Sequence, residues 1–364
     1  MLLVAIGLLV LFLVWYRFHR NRPVNSIPLN YSTEFIENSK AGIRLRALKR
    51  RISSSWSSNE YHELDEYILR SIIRGGHSVD VVSVKKMSKN EFVKRYRNTH
   101  TPCIIMDIPD DWPAMKKWSF DYFKEEYGKC MFMISQDIYL KYDYYYHYIK
   151  HKNHRKDDIP LYLFDHSFAE NNKKTGELLN DYKVPEWFND DWLSVLGDDA
   201  RPPFRWIIAG PPRSGSSLHV DPLATGAWNT LIVGRKRWIL FPPDTFNEKT
   251  EILSSDPGGE WFIRQFPKYK NRKHYDVIQE AGETLFVPPK WWHVTVNIED
   301  SIAITQNYVC ESNVEMCKEI FPLKRRKTYF KWLKMMDGKV IDDRNADEIP
   351  YDSDLYNSSD SEDE

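Results

Sequence analysis

From Pro102 onward the chain sets short apolar runs between Pro, Gly and Asp punctuation, a rhythm of strands more than of helices. The runs are CIIMDI, RWIIAG, TLIVG, KRWILFPP, GETLFVPP, WWHVTVNI and SIAITQNYV. Seven such runs without long helical patterns between them predict a jelly roll or barrel, not a βαβ sheet. Upstream, helical periodicity spans Tyr61 to Ile73 and Asn90 to Tyr96, the second with Ser88 as N-cap, and Val79 to Val84 alternates like a strand. Lys141 to Asp157, rich in Tyr, Lys and His, reads as a surface helix with its aromatic face on the barrel, or as a stacking surface for nucleic acid. After Cys317 come one or two amphipathic helices in which Phe330, Leu333 and Met336 share a face. That face must bury against the barrel or a second subunit.

The ends of the chain follow other patterns. Met1 to Tyr16 carries no charged side chain and is followed by Arg17, His19, Arg20 and Arg22, the pattern of a hydrophobic anchor. Bulky Trp15 and Tyr16 occupy the place of a signal-peptide cleavage site. The run is short for a bilayer span, and a basic flank after it would keep the rest of the chain cytoplasmic. Residues 24–60 read as a basic, Ser-rich linker with one helix; KAGIRLRALKRR within it is a nuclear-import or nucleic-acid patch, or a solvated basic helix. The terminal SDLYNSSDSEDE cannot bury enough apolar area to order itself. The expected segments are thus 1–22 apolar, 23–60 linker, 61–160 helical and mixed, 161–312 β core, 313–340 C-terminal helices and 341–364 acidic tail.

Composition adds little. The formal charge of −1 over 364 residues hides basic clusters at Arg44 to Arg51 and Lys324 to Lys327 and an acidic end from Asp342, so charge is informative only locally. Four cysteines without a CxxC pair read as free thiols of a reducing compartment.

Candidate chemistry begins at SSLHVDPL, where His219 and Asp221 are two residues apart and, on a strand, project from the same face. Two imidazoles and a carboxylate on one side of Fe(II) leave positions open for an oxoacid and dioxygen. A lone His-x-Asp is weak evidence, and His274-Tyr275-Asp276 is a decoy that reads as loop. The next runs, AWNTLIV and KRWIL, are expected to form a hairpin across Gly234-Arg235 in which Val233 opposes Lys236 and Asn229 opposes Leu240. Asn229, Leu231, Val233, Lys236, Trp238 and Leu240 then share a face, where the Lys236 ammonium needs an anion or must snorkel to water. His293 shares a face with Trp291, Thr295 and Asn297. Taken alone it reads as a packed core histidine. A three-residue loop of Ile298 to Asp300 would set Thr305 opposite His293 and a two-residue loop would not, and the register stays open.

The runs GPPRSGSSLHVDP, AWNTLIVGRKRWILFPP, GETLFVPPKWWHVTVNI and IAITQNY, with PLYLFD, DYKVPEWF and RPPFRW, closely resemble the jumonji-C family, in its arginine demethylase and lysyl hydroxylase branch. The likeness spans nearly all of residues 40–340. It implies a double-stranded β-helix with flanking helices, His219, Asp221 and His293 on the iron ligands, and Tyr162, Asn229, Lys236 and Thr305 on the 2-oxoglutarate positions. Trp206 falls on a pocket wall. Ser216 stands where the family has threonine in an SGTG run, keeping the hydroxyl for a carboxylate contact and losing the methyl.

The resemblance implies an enzyme using Fe(II), 2-oxoglutarate and dioxygen, supported by ascorbate, that releases succinate and carbon dioxide. Lysine C5-hydroxylation is the favoured reaction, with N-methylarginine demethylation second, on proteins with basic tracts such as histones or splicing factors. It also implies nuclear residence and dimerisation through the C-terminal helices, while the basic clusters at Arg44 to Arg51 and Lys324 to Lys327 allow RNA association alongside catalysis. The rival readings are a phosphatidylserine or engulfment-linked receptor, an RNA-associated scaffold, and a single-pass membrane protein anchored through residues 1–16 with its catalytic part on the cytoplasmic side.

Overall fold

A computed structural model describes residues 65–337 apart from 77, 135–138, 248–250 and 252. The apolar N-terminal segment, the basic linker and the acidic tail lie outside the described residues. Among the described residues, no helix is long and apolar enough to cross a membrane.

Each of the seven apolar runs forms a strand. They are β2 (Cys103–Met106), β6 (Arg205–Gly210), β7 (Gly226–Val233), β8 (Arg235–Phe241), β10 (Thr284–Val287), β11 (Trp292–Asn297) and β12 (Ser301–Tyr308). The remaining strands are β1 (Asp80–Ser83), the pair β3 (Met131–Met133) and β4 (Tyr139–Lys141), β5 (Leu163–Asp165) and β9 (Tyr275–Glu280). One sheet has the order β1-β2-β10-β7-β12-β6-β5, antiparallel except for β1 with β2, and a second has the order β11-β8-β9. Ala227, Leu285 and Ile104 of the large sheet pack in one cluster with Trp238, Leu240 and Val277 of the small one. The two sheets therefore face each other as the halves of a jelly roll, a double-stranded β-helix.

This pairing overturns two expected hairpins. β7 and β8 are joined by Gly234 alone but do not pair: β7 lies between β10 and β12, and β8 lies between β11 and β9. The chain crosses from one sheet to the other at Gly234, where φ is +84° and a Cβ would strike the Asp300 carbonyl, so only glycine fits. Likewise β11 and β12, separated by three residues, belong to different sheets, and Thr305 pairs with Asn229 and Trp206 instead of His293. Hydrogen-bonding partners in a jelly roll are distant in sequence, which strand alternation alone does not reveal.

Alternation does decide which side chains face inward. On β8, Trp238 and Leu240 join the interior between the sheets while Ile239 and Phe241 enter a second core outside the small sheet. On β11, Trp292, Val294 and Val296 take the outer core, which leaves His293 and Thr295 inside. The helices α1 (Asp65–Ile72) and α3 (Gly258–Arg264) cover that outer core with Ile68, Ile72, Trp261 and Phe262. Truncating a fully buried aromatic such as Trp261 would cost about 3–5 kcal/mol.

The Tyr-rich segment forms α2 (Tyr142–Lys150), whose Tyr142, Tyr144, Tyr145 and Tyr148 are buried; Tyr145 donates to the Ala209 carbonyl of β6 at 2.8 Å. The aromatic face is thus against the barrel. Ser88 caps the helix at Lys89–Phe92, accepting from the Glu91 amide. The C-terminal helices are α4 (Val314–Lys324) and α5 (Arg326–Asp337). Their face centres on Trp332, fully buried among Leu193, Leu196, Val309 and Phe321, with Leu333 and Met336 packed beside it. Phe330, expected to share that face with Leu333 and Met336, lies outside this cluster. The four cysteines are free and buried.

Candidate metal centre and anion pocket

The expected ligands come together by a route other than the predicted strand. His219 makes a single bridge, donating its amide to the His293 carbonyl at 3.0 Å and accepting from the His293 amide at 2.8 Å. Asp221 follows in extended backbone and leads into a short turn at Pro222–Ala224, where Leu223 and Ala224 hold positive φ. Such backbone costs of order 1–3 kcal/mol per residue. The Asn313 amide, donating to the Ala224 carbonyl at 2.9 Å, helps to fix that turn.

The ligand atoms of His219, Asp221 and His293 lie within 4.8 Å of one another, the imidazole rings 4.2 Å apart between centroids and His293 Nε2 3.9 Å from Asp221 Oδ1. Each Nδ1–H donates to a main-chain carbonyl two residues back, His219 to Ser217 at 2.8 Å and His293 to Trp291 at 3.0 Å. A carbonyl only accepts, so the proton sits on Nδ1 and both Nε2 lone pairs are free to bind a cation. Burial and the neighbouring His293 push the His219 imidazole down to about 4, keeping it neutral. Asp221 Oδ2 is buried with no protein partner. The donor set thus fits a divalent metal with open positions. The decoy is structural: Tyr275 and Asp276 begin β9 and are not loop, Asp276 pairs with Arg237 at 2.6 Å, and His274 donates to the Arg272 carbonyl.

A cavity of about 170 Å³ opens beside the cluster. Every expected site residue lines it: Tyr162, Ser216, His219, Asp221, Asn229, Lys236, His293 and Thr305, with Trp206 in the wall. Asn229 and Lys236 face each other from opposite sheets, not from one hairpin. Lys236 is 1% exposed. Its ammonium donates to the Tyr162 hydroxyl at 3.2 Å and lies over the Tyr162 and Trp238 rings at 5.8 and 5.9 Å. Among the described residues it has no carboxylate partner, and burial pushes it down to about 7. It does not snorkel to water. Burial raises the Tyr162 phenol, opposed by a hydrogen bond with Thr295. Asn229 Oδ1 is buried and unpartnered, whereas Thr305 spends its hydroxyl proton on the Trp228 carbonyl at 2.8 Å.

Other lining residues were not singled out from the sequence. Thr295, two positions after His293, accepts from the Ser216 amide and shares a hydrogen bond with its hydroxyl, both at 3.1 Å. Phe164, two after Tyr162, stacks at a tilt between Tyr162 and Trp206 with centroids 6.0 and 5.9 Å away. The two-residue spacing on a strand was the available signal for both. Asn307 and Trp238 also line the inner surface, with apolar Ile208, Pro222, Ala227 and Val287.

A jelly roll carrying two imidazoles and a carboxylate in the lining of an interior cavity defines a metal-binding cupin architecture. Residues 89–313 match the model of the cupin-like domain. The chain belongs to this cupin-like, jumonji-C family. It is 35% identical over 307 residues to the bifunctional arginine demethylase and lysyl-hydroxylase psr-1 of Caenorhabditis elegans, covering 78% of this chain and 74% of that protein. It is 38% identical over 244 residues to the arginine-specific demethylase JMJ22 of Arabidopsis thaliana, covering 65% and 47%. A third relative, 26% identical over 275 residues and covering 66% and 62%, is the 2-oxoglutarate and iron-dependent oxygenase JMJD4 of Gallus gallus. The chain spans only 30%, 47% and 62% of the length of several of the curated relatives it matches.

Proposed function

We propose that this protein is an Fe(II)- and 2-oxoglutarate-dependent protein oxygenase, acting as a lysyl 5-hydroxylase with N-methylarginine demethylation as a second activity. One observation carries the reading: a single cavity pairs an imidazole–carboxylate cluster open to a cation with a buried ammonium lacking a counter-ion among the described residues. A small dianion with an oxoacid at one end and a carboxylate at the other satisfies both.

His219, Asp221 and His293 would hold the iron. Bound there with 2-oxoglutarate and dioxygen, it supplies the oxidising power to replace a substrate C–H bond by C–OH, with succinate and carbon dioxide as co-products. Lys236 receives the distal carboxylate, and a charge-assisted hydrogen bond in a dry site is strong. Tyr162, held by Thr295, orients the ammonium, and Ser216 offers a further hydroxyl. Thr305 can join only as an acceptor, or by leaving the Trp228 carbonyl. Asn229 and Asn307 line the space between the two ends. Phe164 and Trp206, partly buried, form the wall along which a protein side chain enters.

Basic protein segments, among them histone tails and splicing factors, are the proposed substrates, with ascorbate supporting turnover, nuclear residence, RNA association and dimerisation as further parts of this reading. The receptor and scaffold readings draw no support from the relatives' names. The test is succinate release from 2-oxoglutarate by the purified protein with Fe(II), ascorbate and Lys/Arg-rich peptides, with mass spectrometry of the peptides. Gain of one oxygen on lysine is expected, and release no greater than that of Asp221→Ala would refute the reading.

A further inference from the structure

Behind the cavity, and not lining it, Gln279 is fully buried in β9. It is the cross-strand partner of Lys236 on β8, so the two side chains leave the sheet on the same side. Its amide has three partners. Oε1 accepts the Trp238 indole N–H at 2.9 Å, and Nε2 donates to the carbonyls of Asn229 at 2.8 Å and Glu283 at 3.0 Å. An indole only donates and a carbonyl only accepts, so one orientation of the amide satisfies all three.

Both ends of this bridge reach the cavity. The Trp238 ring lies in its wall, 6.0 Å from the His293 ring and 5.9 Å from the Lys236 ammonium. Asn229 belongs to the opposite sheet and presents its unpartnered side-chain oxygen among the lining groups. The main chains of β7 and β9 are not neighbours in either sheet; the turn after β9 reaches β7 through the Gly282 amide on the Leu231 carbonyl at 2.8 Å and the Leu231 amide on the Glu283 carbonyl at 3.0 Å, and Gln279 adds a side-chain tie beside it. Gln279 therefore ties the small sheet to the large one at the point where the anion pocket is assembled. A side chain needed only to fill this volume would not have to carry an acceptor toward one sheet and donors toward the other.

We propose that Gln279 is a positioning residue for cosubstrate binding, acting through Trp238 and Asn229 to hold the two sheets and the indole in register around Lys236. The proposal rests on the oxygenase reading. Gln279→Met keeps the size and removes all three bonds. Gln279→Glu keeps the acceptor for Trp238, loses the donors, and sets a carboxylate beside Lys236.

The test uses Mn(II)-loaded full-length protein, 2-oxoglutarate affinity by calorimetry, and the Trp238 indole N–H resonance of ¹⁵N-labelled protein, assigned through Trp238→Phe. For Gln279→Met, the resonance moves and exchanges faster with solvent without any ligand, and affinity falls about tenfold. For Gln279→Glu, the resonance stays near its wild-type position while affinity falls further, because the new carboxylate competes for Lys236. An unchanged affinity in both variants overturns the proposal even if the resonance moves. So does an unmoved resonance in Gln279→Met. A wild type that binds no 2-oxoglutarate sinks the oxygenase reading and this proposal with it, whereas a wild type that binds normally beside unimpaired variants sinks this proposal alone.

Discussion

The two ends of the cavity are built in different ways. At the metal end each imidazole is aimed by a main-chain carbonyl two residues back in its own segment, and the two histidines are tied by reciprocal main-chain bonds. At the anion end Lys236, Tyr162 and Asn229 come from β8, the segment before β5, and β7, and no described carboxylate balances the ammonium. The first end is organised before anything binds. The second stores an unfavourable buried charge that a bound anion relieves.

The sharpest way to break this contrast is to remove a ligand. Asp221→Ala should lower Mn(II) affinity by about 100-fold or more, read by equilibrium dialysis, because it removes the one anionic donor and leaves only two neutral imidazoles. Thermal stability of the metal-free variant should change little. Lys236→Met should do the reverse. Affinity for 2-oxoglutarate falls by about 100-fold, the scale of a lost charged hydrogen bond in a dry site, while metal binding persists and the ligand-free protein melts at higher temperature.

A pH series sharpens the same point with the unmodified protein. The Lys236 amine, folded and ligand-free, holds its proton only up to about 7, against 10.5 for an ordinary lysine. Between those values the unfolded state binds more protons, so the contribution of this group to stability rises with pH across that window. Its cost is fully present below about 7. A bound carboxylate raises the folded value and flattens the slope, so the increase in melting temperature produced by 2-oxoglutarate with Mn(II) should shrink from pH 7 to pH 10. The smallest effect is expected of Ser216→Ala. Thr295 retains the Ser216 amide as a donor to its hydroxyl, so 2-oxoglutarate affinity should fall by no more than about threefold.

The same contrast explains what could be read from the chain. His219 and Asp221 are two residues apart, and His293 and Thr295 share that spacing, so local alternation and the family resemblance were enough to nominate the metal end. Lys236 and Asn229 were nominated for the right face through a hairpin that does not exist. Alternation within β7 and within β8 was read correctly, but Gly234 sends the two strands into facing sheets, and facing sheets also bring inward side chains together. Most strand pairing joins segments far apart along the chain, as with Thr284 and Thr230, and short-range patterns do not encode it. Gln279 lay beyond reach for this reason, since two of its three bonds run to Trp238 and Asn229 on distant segments. The C-terminal region was legible as one or two amphipathic helices, while the burial of Trp332 at their centre, with Leu333 and Met336 but without Phe330, was set by the surface they meet.

In the proposed function one dicarboxylate spans both ends. This is tested most directly by comparing 2-oxoglutarate with 2-oxopentanoate, which has the same oxoacid end but a methyl in place of the distal carboxylate, on Mn(II)-loaded wild type and Lys236→Met by calorimetry. Wild type is expected to bind 2-oxoglutarate about 100-fold more tightly, and Lys236→Met to lose most of this preference while keeping its 2-oxopentanoate affinity nearly unchanged. An equal loss of both ligands in Lys236→Met, or a wild type that does not distinguish them, would contradict it.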